Sequence, residues 1–463
     1  MLSEQRFDCI VHGGLLVSSR GILRQDVFIR EGKVAQLGPD DGTAPAARRV
    51  DASGKYVLPG LVDAHCHPVH ADRIDTLSQS AVWGGITTLI PFIGSLKAWG
   101  EEGATRDCLR RFMDEAERSA LTDFGIHCTI VRDNLAEMKT LIPEAVKMGI
   151  FSFKTFMAYA HRGMKLEDHE LLKVMEIIRD HGGLFMVHAE TGSMIDYLVE
   201  KFEAEGKTAP EYLLPSQPNL VESDAVYHTL AMASLLRIPV YLPHLSAAES
   251  LDVIRWFRTR GEIRVFCETC PHYLTLTDEE MEKRGTLAKV APPLRKREDV
   301  QAYWQALDAG LIDVVATDYA GRRIEKKEPL WERVFDAPHG LPDMEALLPV
   351  LYDEGVNRGR MTLPLLVKVT SEMPAKIFGI YPPKGSLEPG FDADLVILDP
   401  SASHVITAAN RHTKVDYTIY EGRLCLGTPV LTMRRGKVLV EGGRLIGQSG
   451  DAQFIPGKPG PAV

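Results

Sequence analysis

The run IFSFKTF (150–156) decides how the chain is read. It is apolar at nearly every position, not at every second one. Strict alternation marks a strand with one wet face, whereas a near-continuous apolar run marks a strand covered on both faces, as in a parallel sheet under helices. One residue breaks the pattern. Lys154 needs a partner or must lose its proton, because an unpaired ammonium out of water is very costly.

Seven further runs share this character: LVDAHCH (61–67), ITTLIPF (86–92), FGIHCTIV (124–131), LFMVHAE (184–190), VYLPHLS (240–246), IRVFCET (263–269) and IDVVATD (312–318). Helix-favouring segments separate most of them, among them 105–120, 134–148, 167–181, 222–237 and 298–309. Eight strand–helix alternations predict an α/β fold, a (β/α)8 barrel. The segments MEALLPVLYDEG and LPLLVKVTSEMPAKIFG, after residue 343, are expected as helices packed outside it. Both chain ends read differently. CIVHGGLLV and DVFIREGKVAQLG near the start, and DADLVILDP and PVLTMRRGKVLVEGG near the end, are short β-type runs with tight turns. They predict a small β-sandwich assembled from residues 1–58 and 385–463, with the barrel inserted at 59–384. The tail IPGKPGPAV is expected to be an irregular arm.

Bulk properties exclude several classes. The formal net charge is −10, against the basic face that nucleic-acid binding requires. No apolar run approaches the ~18 residues of a membrane span, and MLSEQRFDCIVHGG lacks the pattern of a secretory signal. Seven cysteines without a regular framework fit reduced thiols and a cytoplasmic location. The lone CxxC of Cys267 and Cys270 has no second pair and reads as two small residues near a strand end, not a zinc site.

The unusual polar residues fall at successive strand ends. The first run carries Asp63, His65 and His67 at spacing two, hence on one face. The fourth carries Lys154, the fifth His188, the sixth His244 and the eighth Asp318. In a barrel these ends form one rim. Each residue alone has an ordinary structural reading: a hydrogen-bonded core histidine, a helix-capping aspartate, a buried ion pair. Their joint placement points to a metal centre, with imidazoles and a carboxylate suited to Zn²⁺ or a similar borderline metal. Five ligands exceed one open zinc site, and no spare Asp or Glu is read at these strand ends to bridge two metals.

The ordered set GLVDAHCH, FSFKTFMAY, VHAE, PHLS, ETCPHYL and ATDYA resembles the cyclic amidohydrolases, and KGSLEPGFDADLVILDP and VDYTIYEG extend the resemblance over essentially the whole chain. The likeness is to hydantoinases and dihydropyrimidinases, with allantoinase-like features in ETCPHYL. It implies two Zn²⁺ per subunit, with Mn²⁺ or Co²⁺ as alternatives. His65, His67 and Asp318 would hold one and His188 and His244 the other, with the N6-carboxylated Lys154 between them. It also implies hydrolysis of a cyclic ureide to an N-carbamoyl amino acid by metal-activated hydroxide. Asp318 would move the proton, Tyr159 would stabilise the oxyanion, and the backbone at Ala291 and His339 would hold the ring amide. Relatives are commonly homotetramers. Val69 stands where dihydroorotase-like relatives carry a substrate-binding arginine, so an acidic ring loses its expected partner there. Tyr319 stands where His or Gln is common, and the loop PVHADRID lacks the apolar residues usual over the ring substituent. Allantoin, a cyclic imide or another amide remain alternative substrates.

Overall fold

The computed structural model describes residues 6–459; the first five residues of the N-terminal segment and the last four of the tail lie outside the described residues. All eight apolar runs form parallel strands: Leu61–Cys66, Ile86–Ile93, Asp123–Phe124 with His127–Thr129, Ser152–Phe156, Leu184–His188, Val240–Leu242, Val265–Thr269 and Val314–Val315. The third departs from the expected continuous strand. Its ladder breaks at Gly125 and Ile126, yet Asp123 pairs with Thr88 and His127 with Phe92, so both pieces keep one register. The first and eighth strands meet through a Cys66–Tyr319 bridge. Asp63 strengthens the join by accepting from the Thr317 N–H (2.8 Å) and hydroxyl (2.7 Å).

Two apolar layers explain why the runs do not alternate. On the fifth strand, Phe185 and Val187 pack outward with helix residues such as Leu171, Val174 and Ile178. Leu184 and Met186 join Phe92, Tyr241 and Phe266 in a second cluster. Phe378 plugs that cluster, its ring 4.9 Å from Tyr241 and 4.6 Å from His127. The covering helices show the matching stripe: Thr105–Ser119 buries Thr105, Cys108, Leu109, Phe112 and Ala116, one face of a 3.6-residue period. The expected outer helices appear as short segments, including Leu347–Leu351, Leu363–Val367 and Met373–Ile377.

The chain ends build two sheets. One orders Lys33–Gly38, Asp26–Arg30, Phe7–His12 and Ala46–Asp51. The other joins both termini, with Leu395–Ile406 antiparallel to Tyr56–Pro59 on one side and Arg423–Arg434 on the other. The turns at REGK and RRGK place Glu31 and Gly32, and Arg435 and Gly436, at positive φ, as a tight two-residue hairpin requires. A buried charge cluster fastens this module to the barrel. Lys384 Nζ lies 2.6 Å from Asp123, 2.8 Å from Asp394 and 3.0 Å from Asp392. Of the tail, Ile455 and Lys458 hydrogen-bond to Phe124 and Gly379, so the irregular arm lies against the barrel.

Candidate active site

Every site residue expected from the sequence lines one pocket at the C-terminal mouth of the barrel: His65, His67, Lys154, His188, His244 and Asp318, with Tyr159, Ala291 and His339 on the wall. Asp63 is the exception among the rim residues, being committed to Thr317. Strand ends deliver the donors with little freedom. His244 (φ 42°), Asp318 (φ 49°) and Tyr159 (φ 67°) adopt left-handed backbone that non-glycine residues rarely take. Such strain persists where the surroundings over-determine it.

The donors form two adjoining groups. Asp318 Oδ1 lies 3.0 Å from His65 Nε2 and 3.4 Å from His67 Nε2. On the other side His188 Nδ1 is 3.1 Å from His244 Nε2, which is 3.3 Å from Lys154 Nζ. Burial pulls Lys154 down to about 7, outweighing the opposing pull of Glu268 and Asp318, and so exposes a neutral amine near neutral pH. Burial pushes the Asp318 carboxyl up, but His65, His67 and His244 outweigh it and hold it ionised. The donor set fits divalent metal ions. Four imidazoles and a carboxylate converge, and the buried His67 Nδ1 and His272 Nε2 have no hydrogen-bond partner among the described residues.

Two carboxylates stand at these strand ends, and both are engaged by site histidines. Glu268 Oε1 takes His65 Nδ1 at 2.6 Å and Glu190 Oε2 takes His188 Nε2 at 2.7 Å. Their binding to imidazoles makes them orienting groups, which fix the ring tautomer and turn the other nitrogen to the pocket. Both residues lie inside quoted motifs, VHAE and ETCPHYL; an acid at the end of an apolar run was the available signal. Tyr159 OH lies 3.2 Å from His188 Nε2, and burial raises its pKa, so it stays protonated and can donate. Tyr319 is turned away from the donors: its hydroxyl bonds Asp72 and Thr413 and ties down the loop after the first strand. Cys267 and Cys270 are free and buried, although Cys270 stands with His272 beside Asp318. Among the described residues no helix is long and apolar enough to cross a membrane.

Comparison with known proteins bears on the family. The chain is 36% identical over 462 residues to a D-hydantoinase of Ralstonia pickettii, covering 97% of this chain and 98% of the relative. It is 35% identical over 457 residues to an L-hydantoinase of Paenarthrobacter aurescens, with 97% and 98% covered. The crystal structure of a dihydropyrimidinase from Brevibacillus agri NCHU1002 superposes with a TM-score of 0.91 at 30% identity, covering 96% of this chain and 97% of that one. Residues 56–439 match the amidohydrolase family, and with relatives of this identity and coverage the chain belongs to that family.

Proposed function

We propose that the protein opens the amide bond of a cyclic ureide, of the hydantoin or dihydropyrimidine type, to give an N-carbamoyl amino acid. One observation supports this reading: a buried lysine, its ammonium disfavoured, shares one pocket at a barrel mouth with two groups of metal-capable donors. Members of the amidohydrolase family are metal-dependent. Here His65, His67 and Asp318 would hold one Zn²⁺ and His188 and His244 the other, with Lys154 as an N6-carbamate spanning both. When bound, such metals lower the pKa of water and polarise the amide carbonyl.

The chain's own residues supply the rest. Asp318, ionised and at the mouth, accepts the proton released as water adds to the carbonyl carbon, and returns it to the nitrogen as the C–N bond breaks. The Tyr159 hydroxyl donates to the oxygen on which negative charge develops. Backbone groups at Ala291 and His339 position the ring amide. Glu268 and Glu190 hold His65 and His188 in the required tautomers. Assembly as a homotetramer belongs to the same reading, drawn from the family resemblance.

The test is a panel offered to zinc-loaded protein: dihydrouracil, hydantoin, 5-alkyl and 5-aryl hydantoins of each hand, allantoin and a cyclic imide. Ring-opening of ureides in preference to the imide is expected. Two bound metals with no ureide opened would contradict the substrate class, and a single metal without lysine modification would contradict the site.

A further inference from the structure

Part of the pocket wall is cationic. Arg162, three residues beyond Tyr159, and Arg322, four beyond Asp318, line the same pocket as His65, Lys154 and His339. Three loops supply this wall, those following the first, fourth and eighth strands: His70 lines the same pocket, and its Nε2 lies 2.9 Å from Arg322 Nη2. Burial and the two neighbouring guanidiniums drive the His70 pKa far down, so the ring is neutral and accepts that bond.

Among the described residues neither arginine has a carboxylate partner. Among the described residues no Asp or Glu oxygen lies within 4.0 Å of either guanidinium. The Arg322 Nε is buried with no acceptor among the described residues. Arg162 lies over the Tyr159 ring, 5.7 Å from its centroid. Elsewhere the protein pairs such residues. Arg258 meets Asp313 at 2.5 Å, Arg73 meets Glu101 at 2.7 Å, and the fully buried Arg295 meets Glu222 at 3.4 Å. Two half-buried guanidiniums facing one cavity repel each other. Burial, and then Arg162, hold the Arg322 pKa down to about 10. An anion between them would relieve both costs, and a guanidinium fork matches a carboxylate bidentately.

We propose that the natural substrate is a cyclic ureide bearing a carboxylate substituent, which Arg322 and Arg162 hold while the ring amide faces the metal donors. This rests on the ureide-hydrolase reading of the site. It also revises the expectation from Val69, since an acidic substrate finds its cationic partners on the loops after the fourth and eighth strands. His70 is a positioning residue, because it touches Arg322 and not the substrate.

The experiment compares 5-(2-carboxyethyl)hydantoin with its neutral isostere 5-(2-carbamoylethyl)hydantoin on the metal-loaded full chain. Turnover is measured by kcat/KM and binding by calorimetry. The carboxylate compound should be favoured by about 10- to 100-fold, the worth of a charge-assisted hydrogen bond or two. The ratio should shrink about tenfold or more in Arg322→Gln and in Arg162→Gln, and should fall with added salt. Equal or better use of the neutral compound, or a ratio unchanged in both variants, overturns the proposal. If neither ring is opened, the ureide-hydrolase reading has failed. The calorimetric preference for the carboxylate compound, present in the wild type and lost in Arg322→Gln, then still decides for or against the anion subsite.

Discussion

Replacing Glu268 by glutamine removes one negative charge from behind the site without changing the shape of the side chain. Glu268 is fully buried and accepts three hydrogen bonds. Oε1 takes His65 Nδ1 at 2.6 Å and the His244 N–H at 2.9 Å, and Oε2 takes the Tyr241 hydroxyl at 2.6 Å. Glutamine keeps one acceptor oxygen. Turned toward His65 and His244, it retains both bonds there. Its amide then donates to Tyr241, whose hydroxyl becomes the acceptor. The Tyr241 O–H and the second amide hydrogen lose their acceptor, a smaller loss than removal of the whole side chain, so the fold should survive at reduced stability. What disappears is the charge assistance to His65, about 1–1.5 kcal/mol. A loss of that kind behind a metal ligand weakens metal affinity or activity by roughly 10- to 100-fold. Glu268→Ala differs, because it orphans three donors at about 1–3 kcal/mol each and should unfold much of the protein. Chelator competition gives the metal affinity, and thermal melting the stability. A Glu268→Gln protein that binds metal within about twofold of the wild type, or that melts as low as Glu268→Ala, would refute the assignment of Glu268 as the group that orients His65.

Other outcomes follow from the same structure. Tyr159→Phe should lower kcat by about 10²- to 10³-fold with little change in KM, the usual cost of losing an oxyanion donor; steady-state kinetics on any accepted ureide reads it. Lys384→Met should cost about 3–5 kcal/mol, as for a broken buried ion pair, because Asp123, Asp392 and Asp394 lose their common partner. Burial already raises the Asp394 pKa and Lys384 opposes it. The orphaned carboxyls therefore titrate higher, and the deficit seen by denaturant unfolding should be full at pH 7.5 and shrink as the pH falls and they take up protons. With Lys154 near 7, the neutral amine grows roughly tenfold between pH 6 and 8. Metal loading of stripped protein at fixed dissolved CO₂ should rise over that range, and a flat profile would count against a reacting lysine.

Much of the site was legible because barrel geometry turns sequence order into spatial convergence. Once IFSFKTF is read as a doubly buried strand, a lysine inside it and histidines at the ends of its neighbours must meet at one rim. His65, His67, His188 and His244 could be placed without knowing any loop. The groups missed are those whose meaning depends on partners. An acid ending an apolar run does not announce that its oxygen meets a histidine two residues away, as Glu190 does, or one on another strand, as Glu268 does. Arg162 and Arg322 lie in loops without periodicity. Whether an arginine is paired depends on which carboxylates the fold brings near it. The terminal sheets were legible as β structure from their turns. Their order was not, since Phe7–His12 pairs in parallel with Ala46–Asp51 and antiparallel with Asp26–Arg30, and no local pattern encodes that choice.

The most direct test addresses Lys154 itself. Protein loaded with Zn²⁺ and ¹³C-bicarbonate would be examined by elemental analysis and ¹³C NMR, beside Lys154→Ala. The account predicts two metals per chain and one carbamate carbon signal, with metals, signal and activity lost together in the variant. A Lys154→Ala protein that keeps two metals and opens ureide rings, or a wild type with no carbamate signal, would contradict it.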